Sequence, residues 1–424
     1  MNRRIPQYLQ YMYSYPHKTA YRMLNPSVDI ASYIKTLGKQ DAGLYFHIPF
    51  CRYKCGFCNL FSEQGCNASR IDAYLDAVER HVLQLSELTE DLLFSSFAIG
   101  GGTPLVLTTG QLERLFNLAL KFGISPEKVF TSIETSPDYA SVDKLRLLKE
   151  KGISRLSMGV QSFLPGELKQ IKRQTTIETV ETALDAIAQI GFPQFNMDLI
   201  YGIEGQTVDS FLSIIQKAIT YQPTELFLYP LYVRRGVRIS TKARNELLFE
   251  MYKGGRDLLT GEGFTQTSMR RFVRNKTTDL EYTCGDETIL SCGCGGRSYV
   301  GNFHFATPYA VSQPAIRSII DAYIQTTDFT HITNGYFLSE EEKQQRYIIK
   351  NLMYYRGIER EDYRRRFETD LPAHLFQSLI DQGYVEDKGG FIRLTAEGMA
   401  FSDDIGQRFI SSGVKERMDS YLLV

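Results

Sequence analysis

Residues 45–58 read Tyr-Phe-His-Ile-Pro-Phe-Cys-Arg-Tyr-Lys-Cys-Gly-Phe-Cys, which sets Cys51, Cys55 and Cys58 in a C-x3-C-x2-C spacing. The run begins as a strand pattern and ends as a cysteine loop. Three thiolates this close in sequence can fold around one metal centre, yet a closed structural site needs four ligands. Three suit a [4Fe-4S] cluster whose remaining iron stays open to an external ligand such as an aminocarboxylate. The alternatives are a zinc site completed by His47 or Cys66, or buried thiols that meet by chance.

Outward from this loop, residues 43–231 alternate β-rich runs with helical patterns. The strand candidates are 43–48, 96–100, 129–134, 155–160, 194–200 and 225–230. Most are apolar or β-branched, as strands covered on both faces are. Amphipathic stretches at 70–85, 112–122, 142–151 and 177–190 lie between them and end in turn signals such as Lys151-Gly152 and Gly191-Phe192-Pro193. The alternation predicts an α/β fold, a parallel sheet curling into a partial barrel. A flat doubly wound sheet is the alternative that periodicity leaves open. Just past the second strand candidate stands Gly100-Gly101-Gly102-Thr103-Pro104. Consecutive glycines let backbone approach a ligand closely, and the C-terminal end of a barrel strand is where such folds build sites.

The chain has 424 residues, room for a large domain and a smaller one. Its 48 basic and 49 acidic side chains leave a formal charge of −1, no electrostatic case for nucleic acid or a membrane surface. No window approaches ~18 uninterrupted apolar residues, and the N-terminus lacks a signal-peptide pattern. A cytoplasmic protein with reduced thiols is expected, its seven cysteines being ligands or core residues. A second region opens near Leu338. It offers a helix candidate at 372–382 and a hairpin from 384–386 to 391–394, the outline of a winged-helix-like α+β module. That helix candidate carries no Lys or Arg, so the module reads as structural or as a lid. The expected division is an N-terminal arm (1–42), the barrel (43–235), an extension with a Gly/Cys-rich segment (236–335) and the module (336–424).

The cysteine loop followed by the glycine turn resembles the radical S-adenosylmethionine (SAM) superfamily. The strings Tyr-x-His-Ile-Pro-Phe-Cys, Gly-Gly-Gly-Thr-Pro, Gly159-Val-Gln-Ser-Phe163 and Met197-Asp-Leu-Ile-Tyr-Gly202 occur in the order found in oxygen-independent coproporphyrinogen III oxidase-like proteins. The resemblance implies a partial (β/α)6 barrel and a [4Fe-4S] cluster on Cys51, Cys55 and Cys58. It also implies reductive cleavage of SAM to a 5′-deoxyadenosyl radical, with an electron donor such as flavodoxin or ferredoxin. It places Gly101, Gly102 and Thr103 along the SAM methionine, Glu134 at its ribose, and Gln161, Arg173 and Asp198 around it. Tyr45 matches a tyrosine close to SAM, and Val300 a backbone contact to a second SAM. For Arg173 the competing reading is a solvated helix face shared with Lys169 and Lys172.

The sequence departs from two branches of that family. The porphyrinogen oxidases usually carry a further cysteine where Leu60 stands here. The haem-chaperone branch carries a His-Asn…Tyr-Trp signature, and this chain has no Trp. The wording Cys-Gly-Phe-Cys-Asn-Leu-Phe looks most like class C radical SAM methyltransferases, which use two SAM molecules. The leading expectation is therefore methyl or methylene transfer to an aromatic or heterocyclic small molecule. The alternatives are porphyrinogen oxidation or haem modification, and a non-catalytic haem- or metal-binding protein. Cys284, Cys292 and Cys294 are either a second cluster site or small residues of a Gly-rich turn. The aromatic run 11–21 either packs on the barrel or closes over substrate, bringing His17 to the site.

Overall fold

The computed structural model describes residues 7–8, 10–12, 14–232, 241–274 and 288–421. Its core is built from β1 (Asp41–Ile48), β2 (Leu93–Gly101), β3 (Phe130–Thr135), β4 (Arg155–Gln161), β5 (Gln194–Tyr201) and β6 (Glu225–Pro230). All pair in parallel and in chain order. Each is followed by a helix: Ala68–Leu88, Thr109–Ala119, Val142–Glu150, Ile177–Ile190, Val208–Thr220 and Thr241–Gly261. A doubly wound sheet must reverse its strand order at a switch point; strict succession with right-handed crossovers instead keeps every helix on one face and curls the sheet. The partial barrel is borne out, and the flat alternative falls.

The pleat sorts side chains between the two faces. On β1, Leu44, Phe46 and Ile48 are fully buried, and Phe46 meets Phe97 of β2 edge to face at 5.0 Å. The opposite face carries Tyr45 and His47, joined on other strands by Ser132, Glu134, Ser157, Asn196 and Asp198. Neighbouring strands link these groups: Asn196 Nδ2 donates to Ser157 at 2.7 Å and to Asp198 at 2.8 Å. Lower in the barrel, Glu225 accepts from Arg155 at 2.9 Å and Arg271 at 2.7 Å.

Around this core the sheet grows, among the described residues, to thirteen strands. Thr288–Cys292 pairs in parallel with β1, and Arg297–Val300, Phe303–Ala306, His331–Phe337 and Arg22–Asp29 continue the sheet antiparallel. The expected N-terminal arm therefore contributes an edge strand. Residue 235, the expected end of the barrel, lies outside the described residues, as does Cys284. In the C-terminal region the helix His374–Asp381 precedes the hairpin Val385–Asp387/Phe391–Leu394, and Ile358–Glu359 completes a three-stranded sheet. Among the described residues no helix is long and apolar enough to cross a membrane.

The arm is sandwiched between barrel and C-terminal region. The Arg270 guanidinium pairs with Asp403 and donates to the Tyr232 hydroxyl at 2.9 Å; Tyr232 also bonds Asp403, whose other oxygen accepts from the Met12 amide at 2.9 Å. Tyr11 covers Arg270 at 4.0 Å, and Tyr8 meets Phe401 at 5.3 Å. This latch joins residues far apart in sequence and carries no local motif.

Candidate cluster and SAM site

The C-terminal ends of β1 and β2 bring the cysteine loop against the glycine turn. The Gly102 amide donates to Ile48 O at 2.8 Å and the Thr103 amide to Phe50 O at 2.9 Å. Contact is so close that a Cβ on Gly102 would stand 2.5 Å from Phe50 O and 2.9 Å from Cys51 Sγ. Gly101 has φ of 121°, open to glycine and strained for other residues. Thr103 Oγ1 lies 3.5 Å from Cys51 Sγ, and Arg173 Nη1 3.5 Å from Cys55 Sγ. Arg173 also donates to Gly159 O at 2.5 Å, so its head is turned to the site rather than lying on a solvated helix face.

The three thiols are half-buried. Burial pushes the Cys51 thiol up, a hydrogen bond with Thr103 opposes that, and the charges of Cys58 and Cys55 add to it. Among the described residues no three His, Cys, Asp or Glu side chains converge as ligands of one metal ion must. A four-iron cluster holds its cysteine sulfurs on separate corners, and that is the chemistry this donor set fits. His47 Nδ1 is bonded to Tyr45 Oη at 3.0 Å. Cys66 sits beside Glu63 and Arg70, and burial foremost pushes its thiol up to about 11.

Deeper in the mouth, Glu134 Oε2 accepts from the Gly101 amide at 3.4 Å, and a Cβ on Gly100 would meet Glu134 at 2.9 Å and Tyr45 Oη at 3.0 Å. Tyr45, Glu134 and the glycine turn thus share one corner. Asp198 stands on the neighbouring side; burial raises Glu134 to about 7, with Asp198 adding repulsion, and burial raises Asp198 to about 6. Solvent reaches the Glu134 side chain through the open mouth, so screening reduces the effect while leaving its direction. Gln161 ends β4 with φ of 75°, just after a register shift, and its amide lies across Gly159, where a Cβ would stand 2.6 Å from Nε2. Such left-handed non-glycine backbone is costly and concentrates at functional sites.

His47 is a residue whose place the sequence did not disclose. Its Nε2 is buried with no hydrogen-bond partner, and it sits where a Cβ on Gly101 or Gly295 would come within 2.9 and 2.8 Å. Burial lowers its pKa to about 3, leaving it neutral. The Gly-rich turn 293–296 therefore makes room for His47; Cys292 and Cys294 are fully buried, and burial pushes the Cys294 thiol up to about 12. Val300 is at the far end of its antiparallel strand: Tyr299 pairs with Ile289, which pairs with Gly43 near the start of β1. That strand runs away from the rim, so the geometry puts the turn, rather than Val300, beside the site. His17 caps the turn Lys18–Ala20 and meets Tyr309 edge-on at 6.5 Å, while Tyr309 donates to Asn59 O at 3.0 Å, one residue past Cys58. Burial, with Lys18 and Arg297 nearby, lowers His17 to about 3.

Residues 45–218 match the model of the radical SAM superfamily. The chain is 25% identical over 382 residues to heme chaperone HemW of Bacillus subtilis, covering 86% of this chain and 98% of that protein. It is 27% identical over 438 residues to the oxygen-independent coproporphyrinogen III oxidase of Escherichia coli, covering 92% and 91%. The solved structure of coproporphyrinogen III oxidase (HemN) from Escherichia coli has the same fold, with a TM-score of 0.79 and 24% identity over 95% of this chain and 97% of that one. The superfamily's cofactors are a [4Fe-4S] cluster and SAM, and the three thiols, the glycine turn and the polar mouth suit both. Residues 45–218 carry a radical SAM domain, and the chain as a whole is similar to coproporphyrinogen III oxidase and HemW.

Proposed function

We propose that this chain is a radical SAM enzyme that modifies a tetrapyrrole, by oxidation of a porphyrinogen or remodelling of haem. The observation that carries the reading is one rim on which Cys51, Cys55, Cys58, the Gly101–Thr103 turn, Glu134 and Asp198 meet, in a chain similar nearly end to end to a coproporphyrinogen III oxidase. The relatives named above back this alternative ahead of methyl transfer, which rested on a short run after Cys58. When bound, the cluster and SAM supply a one-electron cleavage that leaves a 5′-deoxyadenosyl radical able to take a hydrogen atom from substrate.

The chain's own residues position and shield. Cys51, Cys55 and Cys58 would hold the cluster, and backbone at Gly101 and Gly102 would line the SAM aminocarboxylate. Glu134 would serve the ribose, and Asp198, Gln161 and Arg173 the nucleoside side. Tyr45 and neutral His47 wall the corner between them. The arm is latched through Met12, Arg270 and Asp403, and His17 approaches the substrate side through Tyr309. Leu60, 46% exposed, stands where the oxidases usually carry a further cysteine.

The deciding experiment is anaerobic reconstitution with dithionite and SAM, with coproporphyrinogen III, haem or neither added. The reading predicts that one tetrapyrrole stimulates 5′-deoxyadenosine formation and is itself altered in mass. Stable haem binding without turnover would favour the chaperone reading, which the likeness to HemW supports. S-adenosylhomocysteine formed with an aromatic heterocycle would restore methyl transfer.

A further inference from the structure

Arg173 reaches the cluster loop because the turn that carries it is pinned there. After the helix Pro165–Gln170 the chain reverses through Lys172, whose left-handed φ of 52° is uncommon for a residue with a Cβ. The Arg173 amide donates to Leu168 O at 2.8 Å and closes the reversal. From the other side the Gly56 amide donates to Ile171 O at 2.8 Å, and a Cβ on Gly56 would stand 3.2 Å from that same oxygen. Residues 171–173 are therefore built against residues 55–56.

The guanidinium is fixed at two of its nitrogens. Nη2 donates to Gly159 O at 2.5 Å, near the end of β4, and Nη1 stands 3.5 Å from Cys55 Sγ, within reach of an N–H···S hydrogen bond. Its Nε is buried with no hydrogen-bond partner. The two acceptors are a neutral carbonyl and a sulfur, and among the described residues Arg173 forms no ion pair. Asp198 and the Tyr53 hydroxyl feel its charge without bonding to it. Cys51 differs, because the group 3.5 Å from its sulfur is the neutral Thr103 hydroxyl. Cys55 thus has a charged donor where Cys51 has a neutral one.

We infer that Arg173 raises the reduction potential of the cluster through this contact, as a positioning residue that acts on the Cys55 sulfur. The inference rests on Cys55 being a cluster ligand, as in the function proposed above, and on nothing about the tetrapyrrole. Reduction is the gain of one electron from a low-potential one-electron donor, which is oxidised; no bond breaks and no proton moves. The added charge spreads onto the thiolates, and a hydrogen bond from a cation strengthens as its acceptor becomes more negative. Hydrogen bonds to the sulfurs and local charge are among the levers that set iron–sulfur potentials. Arginine suits the task better than lysine, since its planar fork anchors one nitrogen on Gly159 while another meets the sulfur.

The test is an anaerobic redox titration of the reconstituted full chain with dithionite and mediators, followed by electron paramagnetic resonance, without SAM or tetrapyrrole. At a fixed potential Arg173→Gln should lower the ratio of reduced to oxidised cluster about tenfold, which for one electron is about 59 mV. Arg173→Lys keeps the charge and loses the fork, so its potential should fall between the two. Lys169→Gln removes an exposed neighbouring charge that solvent screens, and its ratio should stay within about twofold of wild type. SAM affinity is measured on the same proteins by calorimetry. An unchanged potential in Arg173→Gln alongside weakened SAM binding would overturn the inference, leaving Arg173 a SAM contact alone. A fall as large in Lys169→Gln would overturn it too, since general charge would then be the cause. If Arg173→Gln takes up no iron, Arg173→Lys decides, and a potential equal to wild type there sinks the inference. Tetrapyrrole turnover is assayed apart: a protein that alters none refutes the proposed function and leaves the potentials standing.

Discussion

Replacing Gly102 by alanine tests the contact on which the site is built. The new Cβ falls 2.5 Å from Phe50 O and 2.9 Å from Cys51 Sγ, and the nearer atom is backbone that cannot swing aside. To reach ordinary contact the turn must retreat by roughly 0.9 Å, a displacement of the size that costs about a hundredfold in rate when reacting groups are misplaced. The retreat also stretches the Gly102–Ile48 and Thr103–Phe50 bonds, now 2.8 and 2.9 Å. Overpacking and weakened bonds together cost about 1–3 kcal/mol, too little to unfold a chain of this size. The expected protein is therefore folded, with reduced iron after reconstitution and SAM cleavage lowered about a hundredfold. Gly110→Ala is the control: no atom lies within 4 Å of the added methyl, in the helix Thr109–Ala119, so stability should hold or rise by about 0.4–1 kcal/mol. Iron content, 5′-deoxyadenosine yield and a melting curve on both variants decide the matter. A Gly102→Ala protein with full iron and unchanged cleavage would refute the close approach.

Asp403→Ala should destabilise by about 3–5 kcal/mol in denaturant titration, because it strands the buried Arg270 cation; a loss under ~1 kcal/mol would show that the latch holds little. Glu134 is raised by burial to about 7 from an ordinary 4.5, so the folded chain binds the extra proton between those values and the cofactor-free protein loses stability as pH rises through them. Glu134→Gln should thus melt above wild type at pH 7.5 without SAM, with the gap closing toward pH 5 and SAM affinity reduced; parallel pH–melting curves would contradict this. His17→Gln should slow turnover of the tetrapyrrole while SAM cleavage and iron are retained, and unchanged turnover would remove His17 from the substrate side.

What was legible in the sequence follows from locality. The six barrel strands were readable because strands packed on both sides leave continuous apolar runs, and each observed span lies within two residues of its expected bounds except where β2 begins three residues earlier. The cluster loop and glycine turn were readable because their chemistry is packed into short strings. Arg22–Asp29 was not: it is an edge strand containing Pro26, alternately exposed, with a register shift between Met23 and Val28. Nor could the partner of the 293–296 turn be found, because the steric need for glycine comes from His47, far away in sequence. The Arg270–Asp403 latch is hidden for the same reason. Arg173 reads as part of a solvated face with Lys169 and Lys172 until the fold sets its guanidinium 3.5 Å from Cys55 Sγ.

The most direct measurement is the low-temperature electron paramagnetic resonance spectrum of the reduced, reconstituted protein with and without SAM. Three cysteine ligands and one open iron predict a [4Fe-4S] signal whose g-values shift when SAM is added, and loss of that signal in Cys55→Ala. A signal indifferent to SAM, or one that survives in Cys55→Ala at full intensity, would contradict the site described for Cys51, Cys55 and Cys58.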